Sequence, residues 1–380
     1  MKPRVMRVVT ITDAFIHIKG QLEQYKQEGK EIILVSANGN LDDEIKGIGF
    51  RHENLVIKRD ISPIFDLVSV IQLIILIRRH KPNILHSSTP KAGIVCALAG
   101  FLALVPVRIH TFTGQRWATL KGPKRLLLKM IDRLIVTMNT RVYSDSESQN
   151  QYLIEQKIVK PEKIFCIHKG SLGGIDIARF SNSKYKKDKN EVVYLFLGRI
   201  NKDKGIEELI SAFNLLVKEA NDVALMLVGP NEMMNGDLSN DTREILEKNK
   251  KIKIIGSTNT PEKYIGIADV LCLPSYREGF GTVVIEAASM GVPAIGTKIP
   301  GLVDSIVPNK TGLLVEKQSV DSLFSGMLKM YQDSNLRTEM GNSAYRRAKE
   351  DFSYQIIAEK QWSEYISLLA KYSSRSANIS

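Results

Sequence analysis

An α/β fold of two doubly wound, Rossmann-like parallel-sheet domains with a cleft between them is predicted by three features of the sequence. Short apolar runs alternate with stretches of helical spacing twice over, before and after a polar Lys-rich segment (SNSKYKKDKN) at residues 181–190. Such alternation argues for βαβ units and parallel sheets. The chain has 380 residues, too many for one ordinary core and comfortable for two α/β domains. Charge is unevenly placed: residues 1–180 hold 27 Lys/Arg against 16 Asp/Glu, the remainder 26 against 25, so the first half carries +11 of the net +12. Two domains with different partners fit that asymmetry. The boundaries read from these features are a first domain at 1–180, a linker at 181–190 and a second domain at 191–355. A C-terminal helix and tail at 356–380 are placed to pack back on the first domain.

Taken in order, residues 4–11 form an apolar strand and 19–28 a helix ended by Gly29, with the next strand at 31–36. Residues 65–80 read as a helix with apolar residues on several faces, stopped by Lys81-Pro82. A strand at 84–86, a small-residue helix at 92–104, a strand at 107–110 and a helix at 122–136 continue the series, with strands at 142–144 and 164–167. After the linker, strands fall at 192–197, 223–228, 252–255, 270–273, 294–296 and 313–315. The helix at 205–219 places Ile206, Leu209, Ile210, Phe213, Leu216 and Val217 on one face. From about Ser319 the chain is helical.

Composition narrows the function. Cys96, Cys166 and Cys272 are scattered, odd in number and set in apolar runs, which points to free thiols in a reducing compartment. The basic N-terminus is interrupted by Thr10, Thr12 and Asp13, so it reads as a strand and not a signal peptide. The longest apolar stretches, 67–77 and 92–107, fall short of a spanning helix. A soluble chain is expected.

The stretch PSYREGFGTVVIEAASMG, residues 274–291, carries the chemistry. A strand stops at Pro274, a loop holds Glu278, Gly279, Phe280 and Gly281, and Thr282 opens a helix with Glu286 about one turn in. Strand, Gly-containing loop and helix start aim backbone N–H groups at an anion. The two glutamates suit neutral hydroxyls beside that anion, and phosphate with hydroxyls describes a nucleotide sugar. Glutamates near a helix start are equally common as capping residues. Upstream, Arg199 follows the strand at 192–197 and Lys204 precedes Gly205 at the next helix. Both belong to the carboxyl edge of a parallel sheet, where a guanidinium and an ammonium can clamp a diphosphate. Solvated loop charges are the commoner explanation of such a pair taken alone.

In the first half, Gly20 follows strand one, where a glycine admits either a ligand's close approach or a plain turn. RIHTFTGQRW at 108–117 follows a strand and is rich in donors, which places it on the cleft; GSLGGIDIARF at 170–180 has three glycines. The helix GPKRLLLKMIDR sets Lys124, Arg125, Lys129 and Arg133 among leucines. That pattern suits an anionic membrane surface as well as an ordinary amphipathic core helix, and the basic first half favours the membrane. No nucleic-acid-binding motif is recognised, so nucleic acid is not an expected partner.

These segments resemble retaining glycosyltransferases of the GT-B fold, family-4 type. Residues 278–286 match their E-x7-E signature, Gly198-Arg199 with Lys204-Gly205 their GR-x4-KG segment, and 111–117 and 170–180 segments of capsule and O-antigen enzymes of the CapM type. The likeness covers nearly the whole chain. It implies that Glu278 meets the donor sugar, Glu286 the nucleotide ribose, and Arg199 and Lys204 the leaving diphosphate. Catalytic roles then fall to Arg199, Lys204 and Glu278, and donor binding to these with Gly20, Gly279, Phe280, Gly281, Thr282 and Glu286. The acceptor side falls to His110, Thr113 and Arg116. Two departures touch that side: His110 fits the first position of an H-T-x-H pattern but Thr113 holds the second, and Gly173 stands where Asn is common. A structural histidine at a strand end is the favoured reading of His110.

No Asp-x-Asp pair and no His/Cys cluster occurs, so neither a metal ion nor another cofactor is expected. The function expected is retaining, metal-independent transfer of a sugar, N-acetylated and UDP-linked, to a polyprenyl-diphosphate-linked saccharide in capsule or O-antigen synthesis. The place expected is the cytoplasm, peripherally on the inner face of the cell membrane. An epimerase of the same fold and a non-catalytic nucleotide-sugar-binding subunit are the alternatives.

Overall fold

Each of two parallel sheets is built outward from its first strand. The computed structural model describes residues 3–58, 62–181, 191–232 and 238–377. One compact unit comprises Met1–Gly174 with Tyr354–Ser380, the other Ile175–Ser353. In the first, β1 (Arg4–Ile11) buries Val5, Met6, Val8 and Val9. A 3-10 turn, Thr12–Ile18, leads into α1 (Lys19–Gln27), β2 (Glu31–Ala37), α2 (Asp42–Gly47) and β3 (Arg51–Asn54). Then come α3 (Pro63–His80), β4 (Ile84–Ser87), α4 (Pro90–Leu102), β5 (Val107–Phe112), α5 (Gly122–Met138), β6 (Arg141–Ser144), α6 (Glu147–Glu155) and β7 (Ile164–Cys166). The strands lie in the order β3-β2-β1-β4-β5-β6-β7, all parallel.

The second unit repeats the plan. β8 (Val192–Leu197), α7 (Ile206–Glu219), β9 (Val223–Val228), α8 (Asn240–Lys248) and β10 (Ile252–Gly256) form one half. The other half is α9 (Pro261–Ile265), β11 (Val270–Leu273), α10 (Thr282–Ser289), β12 (Ala294–Thr297), α11 (Leu302–Ser305) and β13 (Gly312–Val315), followed by α12 (Val320–Gln332) and α13 (Ser334–Asp351). Strand order is β10-β9-β8-β11-β12-β13. Both sheets therefore reverse direction beside their first strand, between β1 and β4 and between β8 and β11. Ligands of open α/β sheets bind at the carboxyl ends of the strands at that switch point.

β1, β8, β9 and β11 have the bounds that the apolar pattern gives. The polar strand β3 and the short helices α2, α6, α8 and α9 carry too little periodic signal to be read. The expected linker lies, apart from Ser181, outside the described residues. Ahead of it, Ile175 donates to the Phe352 carbonyl at 2.8 Å and Phe180 joins the core of the second unit.

The last helix, α14 (Tyr354–Ala377), packs within the first unit. Trp362 stacks at a tilt on Tyr25, 5.1 Å between centroids, and the Tyr25 hydroxyl donates to the Ala358 carbonyl at 2.7 Å. Burial of large side chains such as Trp362 and Tyr365 contributes about 1.5–3 kcal/mol each. Beneath them Arg7 donates to the Tyr365 hydroxyl at 2.8 Å, which reaches His86 Nδ1 at 2.6 Å, and His86 Nε2 meets Thr111 Oγ1 at 2.7 Å. A guanidinium can only donate, so the Tyr365 oxygen accepts from Arg7. Burial, with Arg7 and His110 adding to it, holds His86 well below its ordinary pKa and keeps it neutral.

Two sequence expectations change here. Gly20 lies inside the first turn of α1 and not in a loop, and a Cβ there would stand 2.7 Å from the Tyr354 ring. Its missing side chain admits α14 rather than a ligand. α5 turns only part of its basic side outward: Lys124 and Arg133 are exposed, Arg125 and Lys129 are not. Lys129 lies 5.3 Å over the Trp117 ring, and both Lys129 and Arg125 donate to Gln156 Oε1 at 3.1 Å. With the two exposed basic residues, Leu126, Leu127, Met130 and Leu134 also face outward. Among the described residues no helix is long and apolar enough to cross a membrane.

Gly173 has a steric cause. A Cβ on it would lie 1.6 Å from the His17 carbonyl oxygen, a backbone atom that cannot rotate away. Gly173→Asn should therefore destabilise the protein by about 2 kcal/mol or more, read as a lower denaturation midpoint; an unchanged midpoint would show that this crossing relaxes freely.

Candidate active site at the second switch point

The loops leaving β8, β9, β11 and β12 meet backbone to backbone. A Cβ at Gly229 would lie 1.9 Å from the Gly198 oxygen, and one at Gly301 2.7 Å from the Gly279 oxygen. Gly205, in the left-handed region at φ +68, has the Pro274 oxygen 2.1 Å from where its Cβ would be. Only glycine fits both that conformation and that space. The loop after β11 is further fixed by Tyr276 N–H donating to the Asp203 carbonyl at 2.8 Å and by Thr297 Oγ1 donating to the Ser275 carbonyl at 2.5 Å.

This scaffold brings Lys204 and Glu278 together, Nζ to Oε1 at 2.5 Å, with both side chains largely buried. Ser275 Oγ donates to the same oxygen at 2.7 Å. Arg199 follows the end of β8 and pairs with Glu232 at 3.3 Å, where both side chains are about half exposed. Asn201 Nδ2 donates to that glutamate at 2.7 Å. Neither Ser275 nor Glu232 was picked out by sequence. Glu232 carries no signal there, whereas Ser275 stands in the quoted loop. An exposed ion pair is worth about 0–1 kcal/mol, so little holds Arg199 on its carboxylate. Lys204 is held more firmly.

α10 begins at Gly281, in the left-handed region at φ +81, with no side-chain cap. Val284 N–H closes on the Gly281 carbonyl at 2.8 Å, and a helix start without a side-chain cap favours an anion. Thr282 is half-buried beside them. Phe280 is placed otherwise: its ring packs 5.2 Å from Phe352 in a small core with Ile175 and Ile285. Only its backbone is left to serve a ligand. Glu286, one turn into α10, is in an enclosed setting that pushes its carboxyl up to about 7; Arg179 pulls the other way and Glu262 adds to the rise. Arg179 itself bridges to Glu262 at 3.1 Å. Sequence reasoning quoted Arg179 within a segment without giving it a role.

In the first unit, His110 is buried on β5 with Nδ1 2.9 Å from Ser87 Oγ, and burial lowers its pKa to about 3. Burial with Ser87 as its partner keeps this histidine neutral. His110, Thr113, Arg116, Trp117 and Asp132 line one small cavity at the carboxyl end of β5. Trp117 Nε1 donates to Asp132 at 2.7 Å, and burial raises that carboxyl to about 6. Arg116 is exposed.

Residues 178–347 match the glycosyl transferases group 1 family, and residues 17–170 the glycosyl transferase 4-like domain. The capsular polysaccharide biosynthesis glycosyltransferase CapM of Staphylococcus aureus is 32% identical over 377 residues, covering 96% of this chain and 97% of that protein. The chain belongs to the glycosyltransferase family and has its GT-B fold. A UDP-Gal:alpha-D-GlcNAc-diphosphoundecaprenol alpha-1,3-galactosyltransferase of Escherichia coli is 28% identical, covering 73% of this chain and 74% of that one. Among solved structures, a glycosyltransferase from Rickettsia africae superposes with TM-score 0.78 at 21% identity over 97% of this chain and 99% of that one. HepE of Anabaena in complex with UDP and glucose gives 0.78 at 17%, over 96% and 99%.

The setting of Glu286 has a pH consequence. Its carboxyl should titrate near pH 7 in the ligand-free protein, against about 4.3 for an unperturbed glutamate. A hydroxyl-bearing ligand seated on the carboxylate should therefore bind more tightly as pH rises from 6 to 8 and then level off. Carbon-13 NMR of Glu-labelled protein, with Glu286→Gln for assignment, gives the midpoint; a value near 4 would show that the carboxylate is solvated.

Proposed function

We propose that this glycosyltransferase moves a sugar, with retention, from a UDP-linked donor held by the second unit to a lipid-linked saccharide held by the first. The observation that carries this is the pair of cations at the second switch point, Arg199 and Lys204, beside the uncapped start of α10. Breaking the sugar–phosphate bond leaves its electron pair on the diphosphate while the sugar becomes cation-like. Groups that meet that charge only as it grows lower the barrier. In the ligand-free site each cation rests on a carboxylate, Glu232 or Glu278, so a diphosphate takes over charges already in position. Glu278, freed from Lys204, is then available to the sugar's hydroxyls and Glu286 to the ribose. The names of the Staphylococcus and Escherichia relatives support capsule-type synthesis and a diphosphoundecaprenol-linked acceptor. An N-acetylated donor sugar follows from the sequence resemblance. Nucleotide donors, buried free thiols at Cys96 and Cys272 and a lipid acceptor together favour the inner face of the cell membrane.

Arg199→Ala and Lys204→Ala should each cut turnover by roughly 10²–10³-fold, far more than donor affinity. The double variant should lose less than the product of the single losses, because both act on one leaving group. Steady-state kinetics with saturating acceptor decide this, and near-parental turnover in both singles would remove them from the site. Omitting the acceptor in the same assay separates transfer from epimerisation, which needs none.

With two cations and a helix start on the diphosphate and no Asp-x-Asp pair to carry an ion, activity should persist in excess chelator. Complete loss, restored by magnesium or manganese, would overturn that reading.

A further inference from the structure

The first unit leaves an apolar surface uncovered. α3 buries Val70, Leu73, Leu76 and Ile77 and turns Ile64, Leu67, Ile71 and Ile75 outward, each between 50% and 78% exposed. The spacing of three, four and four residues makes one stripe along the helix. At its C-terminal end stand Arg78 and Arg79, both exposed. The connections β3–α3–β4, β4–α4–β5 and β5–α5–β6 all run the same way across the sheet, so right-handed crossovers put α3, α4 and α5 on one face. α4 packs between the other two. α5 extends the surface with Leu126, Met130 and Leu134, and Lys124 and Arg133 flank them.

Charge decides what covers this face. The three helices carry two carboxylates, and both are engaged within the protein: Asp66 with Lys91 at 2.6 Å, and Asp132 with the Trp117 indole. A second copy of the chain would bring one basic rim against another. An anionic lipid surface offers the opposite charge to Arg78, Arg79, Lys124 and Arg133, and acyl chains to the stripe. We propose that this three-helix face docks on an anionic membrane, with the α3 stripe immersed among the acyl chains. This rests on the lipid-linked acceptor reading and gives it a geometry. The apolar ridges supply the insertion, and Lys124 with the three arginines supplies the charge.

The test uses the full chain and vesicles of phosphatidylcholine with or without phosphatidylglycerol. Parent protein should bind the anionic vesicles, and Ile71→Ser with Ile75→Ser should weaken that binding about tenfold or more. Arg78→Ser with Arg79→Ser should lessen the preference for phosphatidylglycerol. A Trp placed at position 71 (Ile71→Trp) should be quenched by brominated acyl chains. Binding unchanged in the Ile71/Ile75 variant, or an unquenched Trp, would overturn the proposal. So would a dimer in solution that the same substitutions dissociate, because the face would then belong to a second copy. Transfer to a water-soluble, short-chain acceptor is measured alongside. It should survive in these variants, and its absence from the parent would instead strike the transferase reading, which vesicle binding does not address.

Discussion

The ligand-facing edge of the second sheet depends on carbonyl oxygens standing where side chains would otherwise begin. Gly205 against Pro274, Gly229 against Gly198 and Gly301 against Gly279 put successive loops in contact through their main chains. Backbone has no rotamers to exchange, so loops joined in this way hold their place better than loops joined by side chains. Lys204 is next to one of these contacts, Arg199 next to another, and Glu278 next to Gly279. Each charged group therefore starts from a fixed Cα, and a reaction that develops charge at one place needs such fixed groups.

The same edge shows why paired charges and a useful site are compatible. A lone ammonium as enclosed as Lys204 would be costly to desolvate. Glu278 and Ser275 meet that cost in the empty state, and under the proposed function a diphosphate takes it over. Arg199 and Glu232 remain in solvent, so little holds them together. Glu286 differs from both: burial outweighs the pull of Arg179, and its proton affinity rises.

Much of the architecture was legible in the sequence because central strands of parallel sheets are buried on both faces and read as unbroken apolar runs. β8 and β11, which flank the switch point, are of this kind, so the loops that follow them could be located. β3 is an edge strand of Arg, His, Glu and Asn and shows no such run. α5 was read with its charges outward because sequence periodicity does not reveal that Trp117 and Gln156, from other elements, draw Arg125 and Lys129 inward. Glu232 was invisible for a similar reason, since its partner is 33 residues away. Gly20 and Gly173 were seen as glycines, but what stands against them, Tyr354 and the His17 carbonyl, is a fact of tertiary structure alone.

The seating of α14 sets an order of assembly during synthesis. The buried guanidinium of Arg7 meets its acceptor in Tyr365, 358 residues later, and His86 meets the same hydroxyl 279 residues on. A ribosome that has released only the first 353 residues presents a first sheet whose face over Arg7 and Tyr25 is still bare. The second unit is continuous in sequence from Ile175 to Ser353. Although later in sequence, it can close first. Until α14 has been made, the apolar side chains of the first unit that it covers lie open to solvent, the kind of surface that aggregates and that chaperones shield.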